Sequence, residues 1–275
     1  MDPTHAVLLL GTGLAAGFIG GLIGVGGGIL FAPVLLFYFE GLGIDPAVLT
    51  PLTIGTSLLC TLMVALVSTW YQHKSEAVVW RLALGVGGGS ALAIFLMMRF
   101  VTTRPWYDAT MFKIIFSLVL LVVVVRMVWR GRTSASADGD ESGHIRWPWM
   151  AAIGSGAGMI ASAVGVGGGI VLVPAYRHLL RIPMRLSVGT SSATIVVIAL
   201  VGVVNYMAMG WHAPVPSSAM GYVDVGRGLL LSAPAMFSAR FGVWAAQRVD
   251  TRILRYSFAA LAFVVAVRML ARVFM

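Results

Sequence analysis

Long stretches of the chain run without a charged side chain, among them 48–71, 82–98, 114–125, 147–176, 186–211 and 228–239. Charges gather between them. Several of these runs reach the ~20 residues that a helix needs to cross the hydrocarbon core. None shows the alternation of apolar and polar residues that marks a membrane β-barrel. The pattern predicts an all-α polytopic membrane protein. Helices are expected over about 6–23, 29–39, 48–71, 77–98 and 109–130, and again over about 147–164, 170–180, 187–210, 227–247 and 252–274. The second helix of each set is short. Eleven residues at ~1.5 Å each cover only about half of the ~30 Å core.

The two sets carry the same signals in the same order. Gly24-Val25-Gly26-Gly27-Gly28-Ile29 with Pro33 recurs as Gly165-Val166-Gly167-Gly168-Gly169-Ile170 with Pro174, at an offset of 141. Gly55-Thr56-Ser57 recurs as Gly189-Thr190-Ser191 at 134. Asp108, Lys113 and Arg126-Met127 recur as Asp250, Arg255 and Arg268-Met269 at 142. The chain therefore divides into repeat 1 (1–130), a polar linker (131–146, GRTSASADGDESGHIR) and repeat 2 (147–275), which together form one transmembrane domain. Each repeat holds a glycine-broken or re-entrant helix pair and three spanning helices. A pair ends on the side where it began, and three more crossings make an odd total. The second repeat then enters from the opposite side, which gives an inverted-topology architecture.

Composition narrows the function. Hydrophobic residues make up 59% of the chain, charged residues 11%, and mean hydropathy is +0.93. A soluble domain usually carries about 25% charged residues. The net charge of +9 does not point to nucleic acid, because 17 of the 19 basic residues are Arg placed mostly at helix ends. There they meet lipid headgroups and set orientation. With both termini outside, twelve basic residues fall on the inner face and six on the outer, a bias that favours this orientation. The first five residues hold no Lys or Arg, so 6–23 reads as a retained helix rather than a signal peptide. Cys60 is the only cysteine and lies mid-helix, which leaves no intramolecular disulfide.

The glycine motifs are the candidate binding element. Gly24, Gly26, Gly27 and Gly28, with Gly165, Gly167, Gly168 and Gly169, permit backbone angles that break a helix. The half-helix that follows begins with unsatisfied N–H donors and partial positive charge, which attract anions. The competing reading is close helix packing through small residues. Thr56, Ser57, Thr190 and Ser191 can donate to an oxyanion, cap a helix or bond back to a carbonyl. All ten carboxylates fall in predicted loops or at helix ends, so none offers an intramembrane partner for a cation. Arg240 lies well inside a predicted helix and is a pathway candidate, or a snorkelling residue. Asn205 and Tyr206 can line a path or join helices. No catalytic constellation, metal cluster or cofactor motif is visible, and Gly154-Ser155-Gly156-Ala157-Gly158 reads as packing.

Two GxGGG motifs, each followed by proline and then GTS, resemble the TauE/SafE sulfite-exporter family, also called the 4-toluene sulfonate uptake permease family. The resemblance covers nearly the whole chain outside the linker. It implies a secondary transporter of the inner membrane for sulfite, a sulfonate or a related small anion, often by export and with proton coupling. It places the site at the two glycine motifs with Thr56, Ser57, Thr190 and Ser191. The rival readings are a passive anion channel, a non-transporting membrane scaffold and, least of all, a membrane enzyme.

Overall fold

In a computed structural model the protein is described over residues 3–129, 147–246, 248 and 251–274. The linker 131–146 and Asp250 lie outside the described residues. Each half forms five helices. The first half holds α1 (Pro3–Ile23), α2 (Gly28–Gly41), α3 (Pro46–Lys74), α4 (Trp80–Met97) and α5 (Ala109–Trp129). The second holds α6 (Trp147–Val164), α7 (Gly169–His178), α8 (Met184–Met209), α9 (Val225–Ala246) and α10 (Thr251–Phe274). A π-helical turn, Met98–Thr102, extends α4. A two-residue hairpin, β1 (Ala219–Met220) against β2 (Val223–Asp224), precedes α9 and was not legible in the periodicity.

Several helix starts are set by acidic caps. Asp45 Oδ1 accepts from the Ala47 N–H at 2.9 Å, with Pro46 at the first helical position. Asp108 Oδ1 accepts from the Met111 N–H at 2.8 Å. Such caps satisfy N–H groups that the first turn leaves open. This explains the place of these two acids at helix ends.

Among the described residues, four helical stretches are long and apolar enough to cross a membrane: Pro46–Lys74, Trp80–Thr102, Met184–Met209 and Val225–Ala246. The core of α3 is 83% buried and that of α8 is 72% buried, against 33% for α4 and 44% for α9. So α3 and α8 form the centre, and α4 and α9 flank it.

The packing maps onto itself when the halves are exchanged. Helix α3 packs on α8, and α5 on α10. Helix α1 packs on α9 as α6 does on α4; α3 packs on α9 as α8 does on α4; α2 packs on α3 as α7 does on α8. Small residues make these approaches close. A Cβ at Gly13 would stand 2.3 Å from the Leu231 carbonyl, and one at Gly17 would stand 2.0 Å from that of Ala235. The matching positions Gly154 and Gly158 would meet the Val86 and Ser90 carbonyls at 2.2 and 2.8 Å. Lipid gives helices no hydrophobic drive to associate, so backbone approach of this kind supplies the attraction. Gly154 and Gly158 are packing residues, as their sequence context predicts, whereas a Cβ at Gly156 would meet nothing within 4 Å.

Candidate functional site

Both glycine motifs interrupt helix. Gly24, Gly26 and Gly27 have φ of +73°, +76° and +75°, and Gly165, Gly167 and Gly168 have +74°, +71° and +77°. L side chains avoid that region. The chain unwinds over 24–27 between α1 and α2, and over 165–168 between α6 and α7.

The two breaks meet. A Cβ at Gly28 would lie 2.6 Å from Val166 Cα, and one at Gly169 would lie 2.7 Å from Val25 Cα. Two side chains stand between them, one from each central helix. Thr61 Cγ2 would be 2.7 Å from a Cβ at either Gly26 or Gly167. Ile195 Cγ2 would be 3.4 and 2.9 Å from the same two positions. Helices α2 and α7 both start here. Their N-caps, Gly27 and Gly168, are left-handed and no side chain fills either cap. Two positive helix ends therefore converge on one buried point.

The far end of α2 is electrostatically matched. Lys113 Nζ pairs with Glu40 at 2.8 Å. Lys113, Arg268 and Arg272 stand 6.0, 5.9 and 5.2 Å from the Phe37 ring, and Arg227 stands 5.9 Å from that of Tyr38. Cations suit the negative C-terminal end of a helix. The positive end at Gly28 has no such complement among the described residues.

The Gly-Thr-Ser hydroxyls join the halves. Ser57 Oγ donates to the Gly165 carbonyl at 2.8 Å, and Ser191 Oγ donates to that of Gly24 at 3.0 Å. Thr56 Oγ1 accepts from the Asp224 N–H at 2.9 Å, and Thr190 Oγ1 accepts from the Val79 N–H at 3.0 Å. All four side chains are buried. Each serine of one half thus holds the glycine break of the other, and all four hydroxyls are bonded to backbone groups, the serines as donors and the threonines as acceptors. Gly55 and Gly189 sit beside them because Tyr222 and Ala77 carbonyls would come within 2.1 and 2.0 Å of a Cβ.

The remaining sequence candidates lie elsewhere. Asn205 Nδ2 donates to the Val201 carbonyl of its own helix at 2.8 Å. Tyr206 is buried, and its hydroxyl donates to the Ser162 carbonyl at 2.8 Å and pairs with the Thr102 hydroxyl at 3.0 Å. It joins α8 to α6 and to the π-helical turn. Arg240 is exposed, with its guanidinium 4.2 Å from the Phe237 ring and 4.5 Å from that of Phe241. It borders a cavity of about 430 Å³ with Tyr71, Phe241 and Trp244, and no glycine of either break lines it.

Two residues escaped the sequence reading. Thr61 is one of several hydroxyl residues of α3 and lies outside the repeated Gly-Thr-Ser motif. Asp224 is fully buried although it stands at a helix start. It forms an ion pair with Arg227, accepts from Ser218 Oγ at 3.1 Å, and caps α9 through the Arg227 N–H at 3.0 Å. An acid three residues before an arginine is the signal that was present for it. Outside the spanning helices, burial pushes the phenols of Tyr107 and Tyr222 up. Tyr107 donates to the Ala163 carbonyl at 2.8 Å, against the last turn of α6.

The profile described as sulfite exporter TauE/SafE matches residues 9–269. The chain belongs to this family. A TauE/SafE relative from Methanocaldococcus jannaschii, named "Probable membrane transporter protein MJ0441", is 25% identical over 267 residues, 96% of this chain and 94% of its own. One from Haemophilus influenzae, "Probable membrane transporter protein", is 26% identical over 97% of this chain and 98% of its own. A third, YunE of Bacillus subtilis, is 30% identical over 74% and 79%. No solved structure matches the chain significantly. Membership makes this an integral membrane protein of a transporter family, and these relatives are named as transporters rather than enzymes.

Proposed function

We propose that the chain is a secondary transporter that exports a small sulfur-containing or organic anion, such as sulfite or a sulfonate. It works by alternating access where the two halves meet, in the plasma (inner) membrane with both termini outside and with proton coupling. One observation carries this reading: the uncapped N-terminal ends of α2 and α7 face one another across a buried point. An anion seated there exchanges its water for backbone N–H groups and hydroxyls. The one carboxylate fully buried among the described residues, Asp224, is already neutralised by Arg227, which argues against a cation as cargo.

The exchange of packing between halves supports an inverted pair rocking about that point. The approach of Gly28 to Val166 and of Gly169 to Val25 closes the centre in this conformation, as a carrier's occluded stage requires and an open channel does not. The test is proteoliposome uptake of sulfite, thiosulfate, taurine, sulfoacetate and small carboxylates, with and without a pH gradient. Saturable uptake of one of these anions is expected. Uptake of none removes the carrier reading, and single-channel conductance replaces it with a channel. If purified protein binds none of these anions, and Gly27→Ala and Gly168→Ala change stability alone, the scaffold reading replaces it.

A further inference from the structure

We infer that one face of α3, formed by Thr50, Ser57, Thr61 and Ser68, lines the route of the anion, with Thr61 as the hydroxyl ligand at its middle. This rests on the transport reading above. The four residues are spaced by 7, 4 and 7, intervals that return to the same face of a helix. From Thr50 to Ser68 they cover about 27 Å of axis, close to the ~30 Å hydrocarbon core. The helix that carries them is the most buried of the long spans.

Their hydrogen bonding sets them apart. Serine and threonine in a membrane helix ordinarily return their hydroxyl to the carbonyl one turn back. Thr53 does so to Leu49 at 2.8 Å, Thr194 to Thr190 at 2.8 Å and Ser192 to Val188 at 3.2 Å. The hydroxyls of Thr50, Thr61 and Ser68 have no partner among the described residues, although these side chains are at most 1% exposed. A buried hydroxyl left unpaired costs free energy and returns nothing within the fold. Three of them on one line point to a ligand that pairs with them in passage. Thr69 is also unpartnered, but it stands about 100° round the helix from Ser68 and does not belong to the line.

Thr61 sits where the line passes the two helix starts. Its Oγ1 would be 2.9 Å from a Cβ at Gly28, the first residue of α2. An anion held by the α2 and α7 ends therefore has this hydroxyl in reach. Ser57, now held by the Gly165 carbonyl, adds a second when that bond opens. The equivalent line on α8, at an offset of 134, reads Met184, Ser191, Ile195 and Gly202. The two lines are unequal: that of α3 carries hydroxyls, and its counterpart on α8 is largely apolar. That asymmetry suits an anion with oxygens on one side and a small apolar part on the other.

The test uses the full chain, purified and reconstituted, with methanesulfonate, sulfite and acetate as probes. Removing an unpaired buried hydroxyl is neutral or stabilising for the fold. Thr61→Val is therefore expected to melt at or above the wild-type temperature. For whichever probe the wild type takes, its affinity falls about ten-fold or more, the loss of one hydrogen bond to a charged group. Thr61→Ser stays within about three-fold of wild type. Should Thr61→Val not fold, Thr50→Val and Ser68→Ala carry the same test through transport rate. Wild-type binding and uptake in all of these variants, with melting temperatures raised, overturns the inference and leaves the transport reading intact. A wild type that takes none of the probes and none of the anions in the uptake panel removes both.

Discussion

Gly168→Ala separates two costs that meet at the break between α6 and α7. At φ of +77° a Cβ costs about 1–2 kcal/mol in backbone strain. The same Cβ would stand 2.8 Å from the carbonyl oxygen of Ala157 and 3.2 Å from its carbon. Ala157 lies in the body of α6, so its backbone cannot swing aside. Overpacking of this kind adds about 1–3 kcal/mol. The sum is about 2–5 kcal/mol. Gly43→Ala is the control. Its φ is +69°, and a Cβ there would meet nothing within 4 Å, so it carries only the first cost. For a chain of this length each kcal/mol moves the melting temperature by about 2–4 °C. Thermal unfolding of the two purified variants should place Gly168→Ala about 2–12 °C below Gly43→Ala. If the two melt together, the break does not press on α6, and the start of α7 is not held where the site requires it.

Three further outcomes follow from the same contacts. Ser57→Ala and Ser191→Ala each leave a glycine carbonyl unpaired and should each cost about 1–3 kcal/mol in denaturant unfolding; loss of neither stability nor transport would show that these braces are idle. Asp224→Asn strips Arg227 of its counter-charge and should lower the melting temperature, by less than the ~3–5 kcal/mol of a fully buried pair because the Arg227 side chain is 22% exposed. An unchanged melting curve would refute it. Arg240→Gln should leave anion affinity within about two-fold, since the guanidinium lies over rings of its own helix; a large loss in a binding titration would return Arg240 to the pathway.

The helix order and both breaks were legible because glycine repeats and apolar runs are local signals. Gly27 and Gly168 stand in clusters whose glycines permit left-handed backbone, and the recurrence of the cluster marks the break. The hydroxyl motifs were legible as a matched pair but not in their partners. That Ser57 reaches Gly165 and Ser191 reaches Gly24 depends on how the halves pack, over separations of 108 and 167 residues. Thr61 gave no signal because its counterpart is Ile195, so the repeat that highlighted the other motifs concealed it. Asp224 reads in the sequence only as one of ten acids in loops or at helix ends. Its burial comes with the packing of β2 on α3, where its N–H bonds to Thr56 Oγ1, and no periodicity foretold that strand.

The reciprocal serine braces have a mechanical consequence. In the proposed rocking cycle, releasing Ser57 while Ser191 holds, or the reverse, gives two half-opened forms that retain the same number of such bonds. Neither form is preferred by the braces themselves. The balance between them is left to positions where the halves differ: Thr61 opposite Ile195, Gln72 opposite Tyr206, and the Asp224–Arg227 pair that the first half lacks.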